Sequence, residues 1–435
     1  MGIHSIMLNI QESLNLLNRA QKVIPAASQT FSKGPNQWPR GVAPHYLTKG
    51  DGAWVWDVDN NKYLDHLMAL GAVILGYKNQ EVNNAIKKQI DEGTVFSQMH
   101  PFEVELSEKL VDLIPSAEMV RFFKNGSDAT TAAIRAARAY TNREFIASCG
   151  YHGWHDWHIA HTTRAAGIPE FNKKLSFLFN YNDLNSLEEL FIAHPNKFAA
   201  VIMEPVGVEL PHPNFLKSVK ELCQKNGVVL IFDEIVTGFR LALGGYQSLC
   251  DVIPDLSCFG KAIANGMPLA AVVGRKNIMK LFETDLFVSG TFGGEAASLA
   301  ASLKTIEILI RENGLDHLKN YATKLCDGIN NSINKNGMGD YLKVIGFPQR
   351  SILTFKNQPT LTLEEQKTFF MQECIKRNLL YFCSHVPCVA HSDHELSFAL
   401  RVLDEVIGKF ADAIQQDNLL QQLEAQVVEP IFRRP

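Results

Sequence analysis

The sequence predicts an α/β protein with a mostly parallel sheet and helices on both faces. Two near-continuous apolar runs, 198–203 and 228–232, are each followed at once by an acidic residue, and a helical segment lies between them. Strands that are apolar along their whole length are typical of sheets covered on both sides. Ligands of such sheets bind beyond the carboxyl ends of the strands, so the residues there are the first candidates for a site.

The same alternation extends from about residue 100 to 310. The predicted elements are helix 103–114, strand 120–123, a helix opened by 125–128, strand 145–148, strand 198–203, helix 214–225, strand 228–232 and strand 269–273. Outside this region, 54–57 and 62–65 flank a polar turn and predict a hairpin. Residues 28–44 predict an extended arm. Weaker strands at 353–355 and 379–382 predict a smaller α+β region after residue 315.

Composition narrows the function classes only slightly. The chain has 435 residues, a formal net charge of −4 and 20% charged residues, which argues against disorder and gives no reason to expect a nucleic-acid partner. No apolar run approaches the roughly 20 residues that span a bilayer, and the N-terminus lacks a signal-peptide pattern. The eight cysteines contain no C-x-x-C pair, so we expect no disulfide scaffold and a reducing, cytoplasmic setting.

The first motif is Asn125-Gly126-Ser127-Asp128, between a predicted strand and a predicted helix. Gly126 lets a ligand approach the backbone closely, and the N-terminus of the helix favours an anion. The Ser127 hydroxyl would add one more donor. The alternative is a simple capping box, with Asn125 at the N-cap and Asp128 at the third helical position.

The second motif is Asp233, at the end of a buried strand. A buried carboxylate is costly without a cationic partner, and a protonated heterocyclic nitrogen would be one. Ile235, two residues on, would lie on the same face and pack against a ring. The alternative partner is Arg240, in a purely structural ion pair.

The third motif is Lys261, which follows Gly260 in a mostly apolar stretch. Burial depresses the pKa of an amine, which favours a nucleophilic lysine that forms a Schiff base. The alternative is a surface lysine that extends its charge into water.

Taken together, these motifs resemble the class III aminotransferases, and most closely their glutamate-1-semialdehyde aminomutase branch. The resemblance rests on motifs that occur in the family's order, namely residues 123–129, Tyr151-His152-Gly153, Glu204-Pro205, 233–240, Pro254-Asp255, Gly260-Lys261 and Ser289-Gly290-Thr291. It implies the fold type I of enzymes that use pyridoxal 5′-phosphate (PLP), with a seven-stranded sheet. It also implies a large domain, 80–315, and a smaller domain built from 1–79 and 316–435. A homodimer with shared active sites is expected.

The resemblance also implies a role for each matching residue. Lys261 would form the Schiff base with PLP, and Asp233 would keep the pyridine nitrogen protonated. Freed Lys261 would then move the substrate proton as a general base and acid. The remaining expected cofactor contacts are Gly126 and Ser127 at the phosphate, Ile235 and Tyr151 on the two ring faces, His152, Glu204, and Thr291 at the phosphate of the neighbouring subunit.

The substrate positions depart from the aminomutase pattern. Lys33 stands where that enzyme has an arginine, and a lysine is no bidentate fork for a carboxylate. Thr30 stands where the family has a serine, and Leu70 stands where the aminomutase has a tryptophan that forms an aromatic pocket wall. An asparagine of the aminomutase is replaced near Glu209, and Glu295 lies in 293–296, where the aminomutase has Ser-Gly-Asn-Pro. We therefore expect an aminotransferase that moves an amino group from a donor to a separate small aldehyde or ketone, with the intramolecular aminomutase as the alternative. The two glutamates suggest an amino-sugar or other secondary-metabolite substrate.

Two other function classes compete with this interpretation. His152, His155, His158 and His161 recur every three residues, which on a helix would suit a zinc hydrolase, although Gly153 weakens such a helix. The favoured interpretation includes no metal. A non-catalytic scaffold with this fold is the second rival, and the retention of Lys261 and Asp233 argues against it.

Overall fold

The computed structural model describes residues 8–429. The strands in this range are β1 (Leu47–Asp51), β2 (Trp54–Asp57), β3 (Lys62–Asp65), β4 (Met119–Phe123), β5 (Phe145–Cys149), β6 (Ser176–Leu178), β7 (Phe198–Met203), β8 (Val229–Asp233), β9 (Leu256–Phe259), β10 (Ala270–Gly274), β11 (Leu342–Phe347), β12 (Arg350–Phe355), β13 (Leu379–Leu380) and β14 (Ser384–His385). The start of the chain, where the sequence shows no signal-peptide pattern, lies outside the described residues.

The helices complete the element order. They are α1 (Gln11–Val23), α2 (Met68–Gly71), α3 (Gln80–Glu92), α4 (Pro101–Leu113), α5 (Gly126–Thr141), α6 (Asp156–Ile159), α7 (Glu170–Leu175), α8 (Leu184–Ala193), α9 (Phe215–Asn226), α10 (Gln247–Cys250), α11 (Lys276–Met279), α12 (Leu281–Thr284), α13 (Ala296–Arg311), α14 (Gly314–Lys335), α15 (Leu363–Ile375) and α16 (Asp393–Gln415). No helix within residues 8–429 is both long and apolar enough to cross a membrane.

The described residues form two compact units. The larger unit consists of residues 80–315 with the short piece 72–74, and the smaller unit combines the described N-terminal residues up to 71, residues 75–79, and the chain from 316 onward.

A seven-stranded sheet forms the centre of the larger unit. Its order is β4-β10-β9-β8-β7-β5-β6, with β10 antiparallel to both neighbours and the other strands parallel to one another. Alternate residues of β7 face opposite sides: Ala200 and Ile202 pack in the core beneath α5, whereas Val201 and Met203 pack in the core beneath α9. The predicted mostly parallel sheet, covered by helices on both faces, is confirmed.

The smaller unit contains two small sheets. One has the order β1-β2-β3-β13 and includes the predicted hairpin, which is confirmed as β2 and β3 in antiparallel register. The other has the order β11-β12-β14. The arm 28–44 is less extended than predicted, because one-turn 3-10 helices form at Phe31–Lys33 and Pro35–Gln37.

One segment of the smaller unit has an unusual backbone. Met68, Ala69 and Leu70 have φ angles of 45°, 53° and 61°, so α2 is a left-handed turn. A left-handed conformation costs about 1–2 kcal/mol for each residue with a Cβ, and consecutive residues rarely adopt it. The surrounding structure must therefore stabilise this turn.

Candidate active site

The carboxyl ends of the parallel strands meet at one edge of the large sheet, and the predicted cofactor residues follow them. The turn 125–127 follows β4, Tyr151 and His152 follow β5, Glu204 follows β7, Asp233 ends β8, and Lys261 follows β9. This edge is where α/β sheets bind ligands.

Asp233 is held by an imidazole. Its side chain is 5% exposed, and its Oδ2 lies 2.8 Å from Nδ1 of the fully buried His152 side chain. The other ring nitrogen of His152 lies 2.9 Å from the carbonyl oxygen of Cys149. His152 is thus a direct partner of Asp233 at hydrogen-bond distance.

The start of α5 has the geometry of an anion site. The side chain of Asn125 forms no cap and instead donates to Asp128 at 3.1 Å, so the alternative capping box is wrong. The Ser127 hydroxyl accepts from the backbone N–H of Trp154 at 3.3 Å, which leaves its own hydrogen available. Together with the helix dipole, this first turn suits a phosphate group.

Ile235 connects three of the candidate segments. A Cβ built on Gly126 would lie 2.6 Å from Cδ1 of Ile235, and one built on Gly260 would lie 3.4 Å from its Cγ2. Half-buried Ile235 therefore lies beside both the start of α5 and the residue that precedes Lys261. Lys261 itself has a left-handed φ of 46°, a strained conformation of the kind that clusters at functional sites.

Gly153 is a site residue whose role the sequence analysis missed. A Cβ there would lie 2.3 Å from the Ser127 hydroxyl oxygen, and its φ of +111° favours glycine. The hydroxyl of Thr130 donates to the His152 carbonyl at 2.7 Å and joins the same two segments. The sequence signal was the glycine itself, which stands in the motif Tyr151-His152-Gly153 but had no role of its own assigned.

Tyr151 and Glu204 lie in the same region. Tyr151 is 38% exposed, and its ring packs edge-on against His158 with centroids 5.6 Å apart. Glu204 lies against the backbone of Gly150, where a Cβ would be 3.4 Å from its Oε1. Tyr151 and Glu204 thus follow two neighbouring parallel strands, β5 and β7, at the same edge of the sheet.

Thr291 lies in the exposed segment between α12 and α13. It lines a cavity of about 750 Å³ with Arg121, Lys124 and Arg135. Its neighbours on the chain include Phe287 and Phe292, which are 87% and 59% exposed. This surface is apolar as well as basic.

The predicted substrate residues fall into two groups. In the smaller unit, Lys33 and Leu70 line a cavity of about 540 Å³, and exposed Thr30 precedes the 3-10 turn that carries Lys33. In the larger unit, exposed Glu209 accepts from Asn182 at 2.9 Å. Glu295 caps α13 through the backbone N–H groups of the next turn and pairs with Lys124 at 3.0 Å. Both of its oxygens are thus used, which favours a structural role over a substrate contact.

The histidine-rich segment does not form a metal site. Gly153 interrupts it, His152 serves Asp233, and Nδ1 of His155 lies 2.7 Å from the hydroxyl oxygen of Thr131. Within the described range, no group of three or more His, Cys, Asp or Glu residues is placed to hold a metal ion. The zinc-hydrolase alternative therefore has no support.

Comparison with known proteins gives a consistent family assignment. The family model "Aminotransferase class-III" matches residues 38–346. The chain is 35% identical over 411 residues to a 3-aminobutyryl-CoA aminotransferase of Cloacimonas acidaminovorans, with 92% of this chain and 98% of that protein covered. It is 31% identical over 436 residues to a glutamate-1-semialdehyde 2,1-aminomutase of Persephonella marina, with 94% and 100% covered.

Solved structures agree with this assignment. The PLP internal aldimine form of the FumI protein of Sphingopyxis sp. MTA144 superposes with a TM-score of 0.87 at 28% identity, covering 96% of this chain and 98% of that chain. An omega-transaminase of Sphaerobacter thermophilus gives 0.84 at 25% identity, covering 92% and 98%.

Proposed function

Because this chain belongs to the class-III aminotransferase family and uses PLP, we propose that it transfers an amino group between the β-carbon of a short acyl chain and a separate carbonyl acceptor. The observation that supports the chemistry best is Asp233, buried against His152 at the sheet edge that also carries Lys261 and the start of α5. A buried carboxylate that is held by a buried imidazole suits a cationic ring nitrogen.

The residues present fit PLP, which when bound supplies an electron sink for the carbanion that forms at the substrate carbon. We assign the phosphate to the uncapped first turn of α5, through Gly126 and Ser127. Ile235 and Tyr151 would cover the two ring faces, and Glu204 and His152 would border the ring. Lys261 Nζ would attach the cofactor and, once released, would take the proton from the amine-bearing carbon as a general base and deliver it to the cofactor carbon C4′ as a general acid.

Two observations favour transfer to a separate acceptor over intramolecular transfer. Lys33 offers a point charge where the aminomutase branch has an arginine fork, and Leu70 replaces an aromatic pocket wall. The relative named 3-aminobutyryl-CoA aminotransferase supports a β-amino acyl substrate. The aminomutase activity stays the second candidate, because the relative from Persephonella marina is covered along its whole length. The amino-sugar suggestion is weakened, since Glu295 serves as a helix cap.

We also propose a cytoplasmic homodimer with shared sites. The exposed Phe287 and Phe292, which flank Thr291, support an interface at this surface. The eight cysteines, which all lie within the described residues, form no disulfide bonds, and this supports a reducing compartment.

A donor screen tests the function. Purified protein loaded with PLP is mixed with 3-aminobutyrate, 3-aminobutyryl-CoA, alanine or glutamate, and loss of the bound cofactor's visible absorption is followed. We expect a β-amino compound to react fastest. Turnover of glutamate-1-semialdehyde without any donor would favour the aminomutase, and no reaction with any compound would favour a non-catalytic scaffold.

A further inference from the structure

The chain changes direction within the large sheet between β5 and β7. From β5 it continues to β6 at the edge of the sheet, whereas from β7 it continues the other way, to β8. Because β5 and β7 are parallel neighbours, the segments after their carboxyl ends turn away from each other and leave a crevice. Ligands of open α/β sheets bind in such a crevice. The loop 204–212, which follows β7, is therefore one of its walls.

Asn182, in the turn after β6, fastens the far end of this loop. Its side-chain nitrogen donates to a carboxylate oxygen of Glu209 and to the backbone carbonyl of Leu210, both at 2.9 Å. Its side-chain oxygen accepts from the backbone N–H of His212 at 2.7 Å. Asn182 has a left-handed φ of 61°, which asparagine adopts more readily than most residues. One amide thus makes three hydrogen bonds to a loop that follows much later in the chain.

Tyr181 fastens the near end of the same loop. Its hydroxyl donates to the backbone carbonyl of Pro205 at 2.7 Å, one residue beyond Glu204. Its ring packs edge-on against Phe215 with centroids 5.2 Å apart, so the tyrosine is itself held in place. Burial raises the pKa of the Tyr181 hydroxyl, which therefore stays protonated and keeps donating at neutral pH.

The middle of the loop stays open between these two attachments. Val208 and Leu210 are exposed and present apolar surface. A Cβ built on Gly207 would meet nothing within 4 Å, so the space beside this residue is open. Apolar side chains next to open space suit the carbon chain of a short acyl substrate.

We propose that Tyr181 and Asn182 position the loop 204–212 as a wall of the crevice beyond β5 and β7, and thereby set how tightly the enzyme holds its substrate. Both are positioning residues, since they act through the loop. This inference rests on the proposed function, because the crevice is taken to receive the substrate beside Tyr151 and Glu204. A loosened loop must be ordered again at each binding event, so its cost falls on binding more than on the chemical step.

The test is Asn182→Gly, with Asn378→Gly as the matched control. Glycine keeps the left-handed backbone and removes only the side chain. Asn378 has a similar φ of 62° and donates from its side chain to the Lys62 carbonyl at 2.7 Å, but it lies in the smaller unit. In PLP-loaded Asn182→Gly, hydrogen exchange should become faster in the peptide 204–214, and the control should match wild type there.

The kinetic readout is the half-reaction with 3-aminobutyrate. We expect Asn182→Gly to raise KM about 10-fold, since three hydrogen bonds of modest net strength are lost. The value of kcat should change by less than about 3-fold, and PLP affinity should match wild type. A variant that loses PLP affinity or kcat instead, with KM unchanged, would refute the inference.

A second variant keeps the inference testable if Asn182→Gly folds poorly. Asn182→Asp loses the donor and brings two carboxylates together, so it should also raise KM. Adding Glu209→Gln supplies a donor from the other side and should recover part of the lost binding. A wild-type KM in both Asn182 variants would refute the inference and leave the proposed function standing. A wild-type enzyme that reacts with neither 3-aminobutyrate nor 3-aminobutyryl-CoA would contradict the proposed function, and hydrogen exchange would still decide whether Asn182 holds the loop.

Discussion

At the scale of single residues, Asp233 shows how a buried neighbour holds a proposed catalytic group in place. One ring nitrogen of His152 lies 2.8 Å from Asp233 and the other lies 2.9 Å from the Cys149 carbonyl oxygen, so the imidazole is held between the two. In its proposed role Asp233 pairs with a cationic ring nitrogen, and a neutral amide at this position would carry no charge for that pairing.

Asp233→Asn should therefore keep PLP bound and slow the half-reaction by about 100-fold or more. The measurement is the stopped-flow rate of cofactor absorbance loss at saturating donor. Asp255→Asn is the control, because Asp255 pairs with Arg275 at 2.7 Å outside the proposed site and should affect stability alone. A near-normal rate in the Asp233 variant would refute its role.

The burial of the next residue, Glu234, predicts that the stability of the protein depends on pH. It is fully buried, and burial raises its pKa from 4.5 to about 7. Between these values the native state holds a proton that the unfolded chain has lost, so the free energy of unfolding falls as the pH rises through this window. Glu234→Gln should remove this fall, which is about 3 kcal/mol in full. Denaturant unfolding at pH 5 and pH 7 measures the free energy of unfolding at each pH. An equal change in this free energy between the two pH values in wild type and variant would contradict the raised pKa of Glu234.

At the scale of elements, the sequence predicted the long buried strands and missed the short or mixed ones. β7 was predicted at its observed bounds because all six of its residues are apolar and buried. β6 has only three residues, and β9 contains Ser257 within a buried strand, so neither has a clear apolar run. The antiparallel direction of β10 follows from its connection, since the ten residues 260–269 are too few for a parallel crossover with a helix.

The candidate site, like the fold, was predictable only in part. Residues at strand ends could be assigned from pattern and resemblance, because sheet topology places them at one edge. The pairing of His152 with Asp233 and the left-handed turn 68–71 could not be predicted, because both depend on contacts between segments distant in sequence. Nothing in Met68-Ala69-Leu70 favours a left-handed backbone.

A prediction at this scale concerns the first turn of α5. In Gly126→Ala the new methyl group would meet the end of the Ile235 side chain at 2.6 Å. That side chain can move without unfolding the sheet, so the change should weaken PLP binding by about 10-fold with little loss of stability. Gly339→Ala, where a Cβ meets nothing within 4 Å, is the control. Equal PLP affinity in both variants, measured by titrating the apoprotein, would contradict a phosphate site at this turn.

At the scale of the whole molecule, the proposed dimer makes a prediction about mixed subunits. Lys261→Ala and Thr291→Ala homodimers should each be impaired, because each would lose one residue of every shared site. A mixed dimer would contain one site with both residues intact, so random mixing should restore about a quarter of the wild-type activity. Activity is assayed after the subunits are mixed, unfolded and refolded together. If the activity of the mixture did not exceed the activity of either separate variant, Thr291 would act in the site of its own subunit.

The central claim is that Lys261 is the residue that attaches PLP. The most direct test is reduction of the PLP-loaded protein with borohydride, followed by digestion and mass spectrometry of the labelled peptide. We expect one phosphopyridoxyl group per chain, located on Lys261. A label on another lysine, or a Lys261→Ala protein that is labelled to the same extent, would contradict it.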